Sequence, residues 1–129
     1  MREEQVKYSI EKLDNAFKRL KEGVSEVKSE LEKDGVIQRF EFTFELLWKC
    51  LKLYLEYKGI RVNTPRDSFK EAFRIGIIDD EENYLNMLED RNKTSHIYDK
   101  KTADEIFDRI KDVYLKLIDG LVKKLKEEK

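Results

Sequence analysis

The segment Arg91-Asn92-Lys93-Thr94-Ser95-His96-Ile97-Tyr98 gathers side chains suited to acid–base chemistry on a phosphate. His96 is the one histidine of the chain, and an imidazole near its ordinary pKa of about 6.5 takes or gives a proton at neutral pH. A guanidinium such as that of Arg91 grips a phosphate through two parallel N–H donors and stabilises a crowded phosphorane. A tyrosine such as Tyr98 stacks on a base or hydrogen-bonds to a phosphate oxygen. Together the three suit metal-free RNA cleavage, in which a ribose 2′-hydroxyl attacks the adjacent phosphate. That reaction uses both a base and an acid. With one histidine per chain, a two-fold dimer is the economical way to supply both. Asp90, Asn92 and Ser95 are the polar neighbours that support the trio.

Arg91 and His96 are five residues apart, an offset of about 140° around a continuous helix. They converge only where the helix ends or distorts, and Asn92, Thr94 and Ser95 suit a frayed end. His96 and Tyr98 point to one side in an extended segment. The same residues admit a plainer reading: His96 as a surface or capping group, Arg91 as an ion-pair partner, Tyr98 at the edge of the core. Arg39 and Glu45 read as ion-pair partners, and Phe40, Phe42, Phe44 and Trp48 as core and interface.

The elements that must hold this corner are helical. Val6, Ile10, Leu13, Phe17, Leu20, Val24, Val27 and Leu31 follow a 4-3-4-3-4-3-4 spacing, which predicts a long amphipathic helix stopped by Asp34-Gly35. A second helix is predicted from Val36 to Lys58, apolar around most of its circumference and therefore in need of cover, including a partner subunit. Gly59 ends it. Thr64-Pro65-Arg66-Asp67 starts a short helix that carries Phe69, Ala72 and Phe73. Asp79 to Glu82 form the acidic first turn of a fourth helix that runs through Tyr84, Leu85 and Leu88 into Arg91. A last helix starts at Asp99 to Thr102, with Thr102 and Glu105 at capping-box spacing. Its stripe is Ala103, Ile106, Ile110, Val113, Leu117, Leu121 and Leu125, with Phe107, Tyr114 and Ile118 beside it. The fold class is all-α: one domain over residues 1–129, an up-and-down bundle of about five helices, three long and two short, working as a homodimer.

Composition narrows the chemistry. Charged residues are 43% of the 129, yet the net charge is −1, so any RNA contact must come from a local patch rather than bulk charge. One histidine and one cysteine, Cys50, cannot build the usual zinc ligand sets, and Cys50 has no partner for an internal disulfide. No phosphate-binding loop or dinucleotide fingerprint is present. Neither a metal nor a cofactor is expected. No signal peptide or membrane-crossing apolar run is seen, and the expected compartment is the cytoplasm.

Three segments, in order, resemble the nucleotidyltransferase substrate-binding protein family, part of the HEPN superfamily that includes the HepT toxins. They are Arg39-Phe40-Glu41-Phe42-Thr43-Phe44-Glu45-Leu46-Leu47-Trp48-Lys49, Thr64-Pro65-Arg66-Asp67 with Glu71-Ala72-Phe73, and Asp90-Arg91-Asn92 through Ser95-His96-Ile97-Tyr98-Asp99. The last is similar to the superfamily's Arg-x4-6-His pattern, extended to His-x-Tyr. The resemblance implies a helical dimer with its Arg–His corners near the two-fold axis, and a small nucleotidyltransferase as partner. It also implies two alternative functions. In one, the chain is an RNase toxin with Arg91 and His96 catalytic, silenced by AMP added to Tyr98. In the other, it is a non-catalytic subunit that binds substrate for the transferase.

Overall fold

The fold is that of a computed structural model, which describes residues 2–96 and 99–128. Its elements are α1 (Arg2–Glu26), α2 (Glu30–Tyr57), α3 (Pro65–Arg74), α4 (Glu81–Lys93) with a single 3-10 turn at Thr94–His96, α5 (Lys100–Arg109), a π turn at Ile110–Tyr114, and α6 (Leu115–Glu128). No strand occurs among the described residues. Because α5, the π turn and α6 run on without a break, they form one rod. The bundle is thus the expected three long and two short helices.

Every other helix packs on α2, on α1 or on both. Side-chain links give the directions. Ser9 to Cys50, Thr43 to the Ala16 carbonyl and Arg39 to the Arg19 carbonyl run in opposite order along the two helices, so α1 and α2 are antiparallel. Lys33 meets Asp104 and Tyr54 meets Glu128, so the rod runs parallel to α2. Glu41 meets Thr94 and Glu45 meets Arg91, so α4 runs antiparallel to it.

The first stripe buries Val6, Ile10, Leu13, Phe17 and Leu20 as its spacing requires. Its end departs from expectation. The first helix stops at Glu26, Asp34-Gly35 lies inside α2, and Leu31 is 80% exposed. The cause is a cap: the Ser29 hydroxyl accepts from the Glu32 N–H at 3.2 Å, and the Glu32 carboxylate accepts from the Lys28 N–H. Such a cap is worth about 1 kcal/mol, enough to offset one interior glycine at a cost of about 1 kcal/mol.

α2 buries Phe40, Phe44, Leu47, Leu51 and Tyr54, while Trp48 is half-buried and Phe42 is 59% exposed. The short helices and the rod cover most of the apolar circumference. Gly59, at φ +88, turns the chain out of α2, and Ile60 N–H then closes onto the Leu55 carbonyl at 2.8 Å. α3 starts as expected, with Thr64 accepting from the Asp67 N–H at 3.1 Å and Pro65 in first position.

The last stripe needs a correction. Tyr114 and Ile118 are buried, whereas Val113 and Leu117 are only half-buried. In the π turn the Leu115 N–H reaches back to the Ile110 carbonyl. This loop holds one residue more than an α turn, so the inward line slips by one position. The start also differs: Asp99, not Thr102, caps the helix, accepting from the Thr102 N–H at 3.3 Å.

Candidate functional site at the end of α4

α4 is capped by Asp80, whose carboxylate accepts from the Asn83 N–H at 3.2 Å. It is fixed along its length by Tyr84, Met87 and Leu88 in the core, and by the Tyr84 hydroxyl donating to the Leu117 carbonyl at 3.1 Å. Burial pushes the Tyr84 phenol far above its usual range. This rigid segment delivers Asp90 and Arg91 to opposite circumstances.

Asp90 is buried. It receives Arg109 through Nε at 2.6 Å and Nη2 at 2.8 Å, and it also accepts from the Tyr114 hydroxyl. The paired hydrogen bonds hold the Arg109 guanidinium protonated well beyond its ordinary limit. Burial, followed by the bond to Asp90, raises the Tyr114 phenol. Asp90 thereby ties the end of α4 to Arg109 and to the π turn.

Arg91 turns toward α2. Its Nη2 lies 3.6 Å from Glu45 Oε2, an ion pair but longer than a hydrogen bond. Its Nε is buried and has no hydrogen-bond partner among the described residues. Most buried polar groups are satisfied, so this guanidinium retains N–H donors for another acceptor. Below it, the Thr94 hydroxyl lies 2.6 Å from Glu41 Oε2 and 2.6 Å from the Arg91 carbonyl. Its single proton serves one of them at a time, and the contact pins the 3-10 turn to α2. The Ser95 hydroxyl donates to the Asn92 carbonyl at 3.2 Å. Asn92, Lys93, Ser95 and His96 are exposed. His96 closes the 3-10 turn and makes no hydrogen bond or ion pair among the described residues.

The corner differs from the expected one in how it ends. The helix does not fray after Arg91: it tightens. Steps of about 100° to Lys93 and about 120° thereafter set His96 roughly 200° round from Arg91. One chain therefore presents the guanidinium toward α2 and the imidazole toward solvent. Tyr98 lies outside the described residues.

Two residues of the corner escape a reading of the sequence. Glu41 carries no local sign of its contact with Thr94, which lies far along the chain. Arg109, on a different helix from Asp90, reads as one charge among many. Glu45 does act as an ion-pair partner, to Arg91 and also to Lys49 at 3.9 Å. Arg39 makes none among the described residues: its Nη1 donates to the Arg19 carbonyl at 2.6 Å, passing over Gly23, where a Cβ would come within 3.0 Å of it. Among the described residues no group of three or more His, Cys, Asp or Glu could hold a metal ion. Nor is any helix there long and apolar enough to cross a membrane.

The pattern of the family described as "Nucleotidyltransferase substrate binding protein like" matches residues 8–127. The chain belongs to that family. A relative from Haemophilus influenzae, named "Probable ribonuclease HepT", is 35% identical over 83 residues, which make up 60% of this chain and 57% of the relative. The match thus spans little more than half of that protein. A crystal structure from Thermus thermophilus superposes with a TM-score of 0.83 at 35% identity, over 88% of this chain and 98% of the other. A second, from Haemophilus influenzae, reported to have the fold of a substrate binding domain of a nucleotidyltransferase, gives 0.81 at 28% identity over 91% and 98%. Membership of the family and the helical-bundle fold agree with the resemblance carried by the three sequence segments.

Proposed function

We propose that this chain is the endoribonuclease toxin of a pair with a small nucleotidyltransferase, acting in the cytoplasm as a homodimer that places two Arg91/His96 corners on one RNA phosphodiester. The observation that carries the reading is an under-satisfied Arg91 followed at five residues by an exposed His96, in a family with a relative named as a ribonuclease. The dimer is part of the proposal because one chain offers a single imidazole, turned away from its own guanidinium. In the reaction the 2′-oxygen bonds to phosphorus while the bond from phosphorus to the 5′-oxygen breaks. One imidazole takes the 2′-hydroxyl proton, and an imidazolium gives a proton to the departing 5′-oxygen. The products are a 2′,3′-cyclic phosphate and a 5′-hydroxyl. No metal is required by this scheme.

The partner transferase would silence the site by moving AMP from ATP to the Tyr98 phenol, with release of pyrophosphate. Each AMP brings a negative phosphodiester next to Arg91 and repels the RNA backbone. Expression of the chain alone, wild type against His96→Ala, tests the reading by growth arrest and RNA decay. Arrest and decay from the wild type only are expected. Equal decay from both removes His96 from the mechanism. The family description and the Haemophilus influenzae fold favour a second reading, an accessory subunit that binds substrate for the transferase. It predicts no decay from either protein and a stable complex that changes transferase activity. Tyr98→Phe tests the silencing step: full silencing of that variant by the transferase would reduce inhibition to complex formation.

A further inference from the structure

α3 separates its charges by side. Ser68, Phe69 and Ala72 are buried and define the face turned to the core. At the α-helical turn per residue, Phe73, Arg66, Lys70 and Arg74 follow one another in that order around the flank beside Phe69. Asp67 and Glu71 come next, on the far side of Arg74. One flank of this helix is therefore basic and aromatic, and the acidic residues are set apart from it. Phe73 is 46% exposed. Arg66 and Lys70 are exposed, and neither makes an ion pair among the described residues. Arg74 is already held by Glu71 at 2.7 Å.

The placement of Arg66 does nothing for the helix. A cation in the first turn opposes the helix dipole, yet Thr64 and Pro65 fix that turn firmly. The level of α3 is also informative. The Phe69 ring packs on Phe44 at 5.9 Å, and the next residue of α2, Glu45, reaches Arg91. The basic flank thus lies at the height of the candidate site. In the groove between α1 and α6, by contrast, Lys126 pairs with Asp14 at 2.7 Å and Lys12 sits over the Tyr8 ring.

We infer that Arg66, Lys70 and Phe73 form a docking track for single-stranded RNA, leading the strand to the Arg91/His96 corner. The inference rests on the ribonuclease reading for its substrate. Charge complementarity selects a polyanion, and an exposed aromatic beside the cations selects unpaired bases that can stack on it. In a chain of net charge −1, such a local track is what gives affinity.

Fluorescence anisotropy with a labelled single-stranded RNA, titrated onto His96→Ala protein across a salt series, tests it. The Arg66→Ala/Lys70→Ala pair in that background is expected to lower the slope of log affinity against log salt by about 1.4. Phe73→Ala is expected to weaken binding about fivefold or more with the slope unchanged. Lys7→Ala/Lys21→Ala on α1, an equal change of charge, is expected to alter neither by as much. Thermal melts confirm that each variant is folded. Unchanged binding by the α3 variants, or an equal loss in the α1 pair, overturns the track. So does retained RNA binding together with lost capture of the partner transferase, which would give the flank to a protein. The two readings fail separately. A nuclease-active protein whose KM ignores Arg66 and Lys70 loses only the track. A protein that never cuts RNA, but shows the slope change, loses only the nuclease.

Discussion

Asp90 is met from two sides inside the protein, by Arg109 and by Tyr114, whereas Arg91, the next residue, faces one carboxylate at 3.6 Å and has its Nε unanswered among the described residues. The pair shows how a small bundle can tolerate an unsatisfied cation. The backbone that carries it is locked by its neighbour, so Arg91 need not find its own partner to stay in place. A site can be preorganised by hydrogen bonds that never touch its ligand.

Variants on each side of this contrast should separate function from stability. The largest effect is expected from His96→Ala: RNA cleavage falls about 10²–10⁴-fold, with the urea midpoint unchanged because the side chain is exposed. A cleavage rate close to that of the wild type would remove the corner from the chemistry. Asp90→Asn acts in the opposite way, stripping the charge from a buried anchor. Its cost should sit near the low end of the roughly 3–5 kcal/mol seen for broken buried pairs, since Arg109 is 40% exposed and can turn to water. Urea unfolding reads this directly, and an unchanged midpoint would mean that the anchor holds nothing.

Tyr114→Phe is gentler, about 1 kcal/mol at neutral pH for one hydrogen bond. It also carries a signature in alkali. The folded phenol is raised above its usual pKa of 10.0, so above that pH the unfolded chain has lost a proton that the folded chain keeps. Stability must then fall as pH rises past about 10. The variant lacks that share, so its stability curve should be flatter there. A parallel curve would show that Tyr114 titrates normally. Smallest of all, Glu45→Gln removes the loose counter-charge of Arg91. Stability should move by less than about 0.5 kcal/mol, while anisotropy should show RNA binding tighter by about twofold to fivefold. Weaker binding would mean that Glu45 positions Arg91 rather than competing with RNA for it.

The parts of this molecule that are legible in the sequence are those that depend on local spacing. The α1 stripe, the Thr64-Pro65 start and the Arg91-to-His96 interval are all contained within a few turns, and each can be read directly. The boundary between α1 and α2 is harder because two local signals compete. Asp34-Gly35 looks like a stop, but Ser29 and Glu32 form the cap that decides. The contacts that build the corner are hidden for another reason. Glu41 to Thr94 and Asp90 to Arg109 join residues far apart in the chain, and a carboxylate in a helix looks the same with or without such a partner.

The π turn at Ile110–Tyr114 bears on how relatives are to be compared with this chain. An unbroken α-helical template laid over residues 100–128 assigns Val113 and Leu117 to the interior, where Tyr114 and Ile118 lie instead, while Leu121 and Leu125 are buried as that template requires. One extra position between 109 and 115 accounts for the shift from Val113 to Tyr114 and from Leu117 to Ile118. A relative with a plain last helix should be one amino acid shorter there, and alignments that forbid a gap inside a helix will misjudge which of its side chains are interchangeable with these.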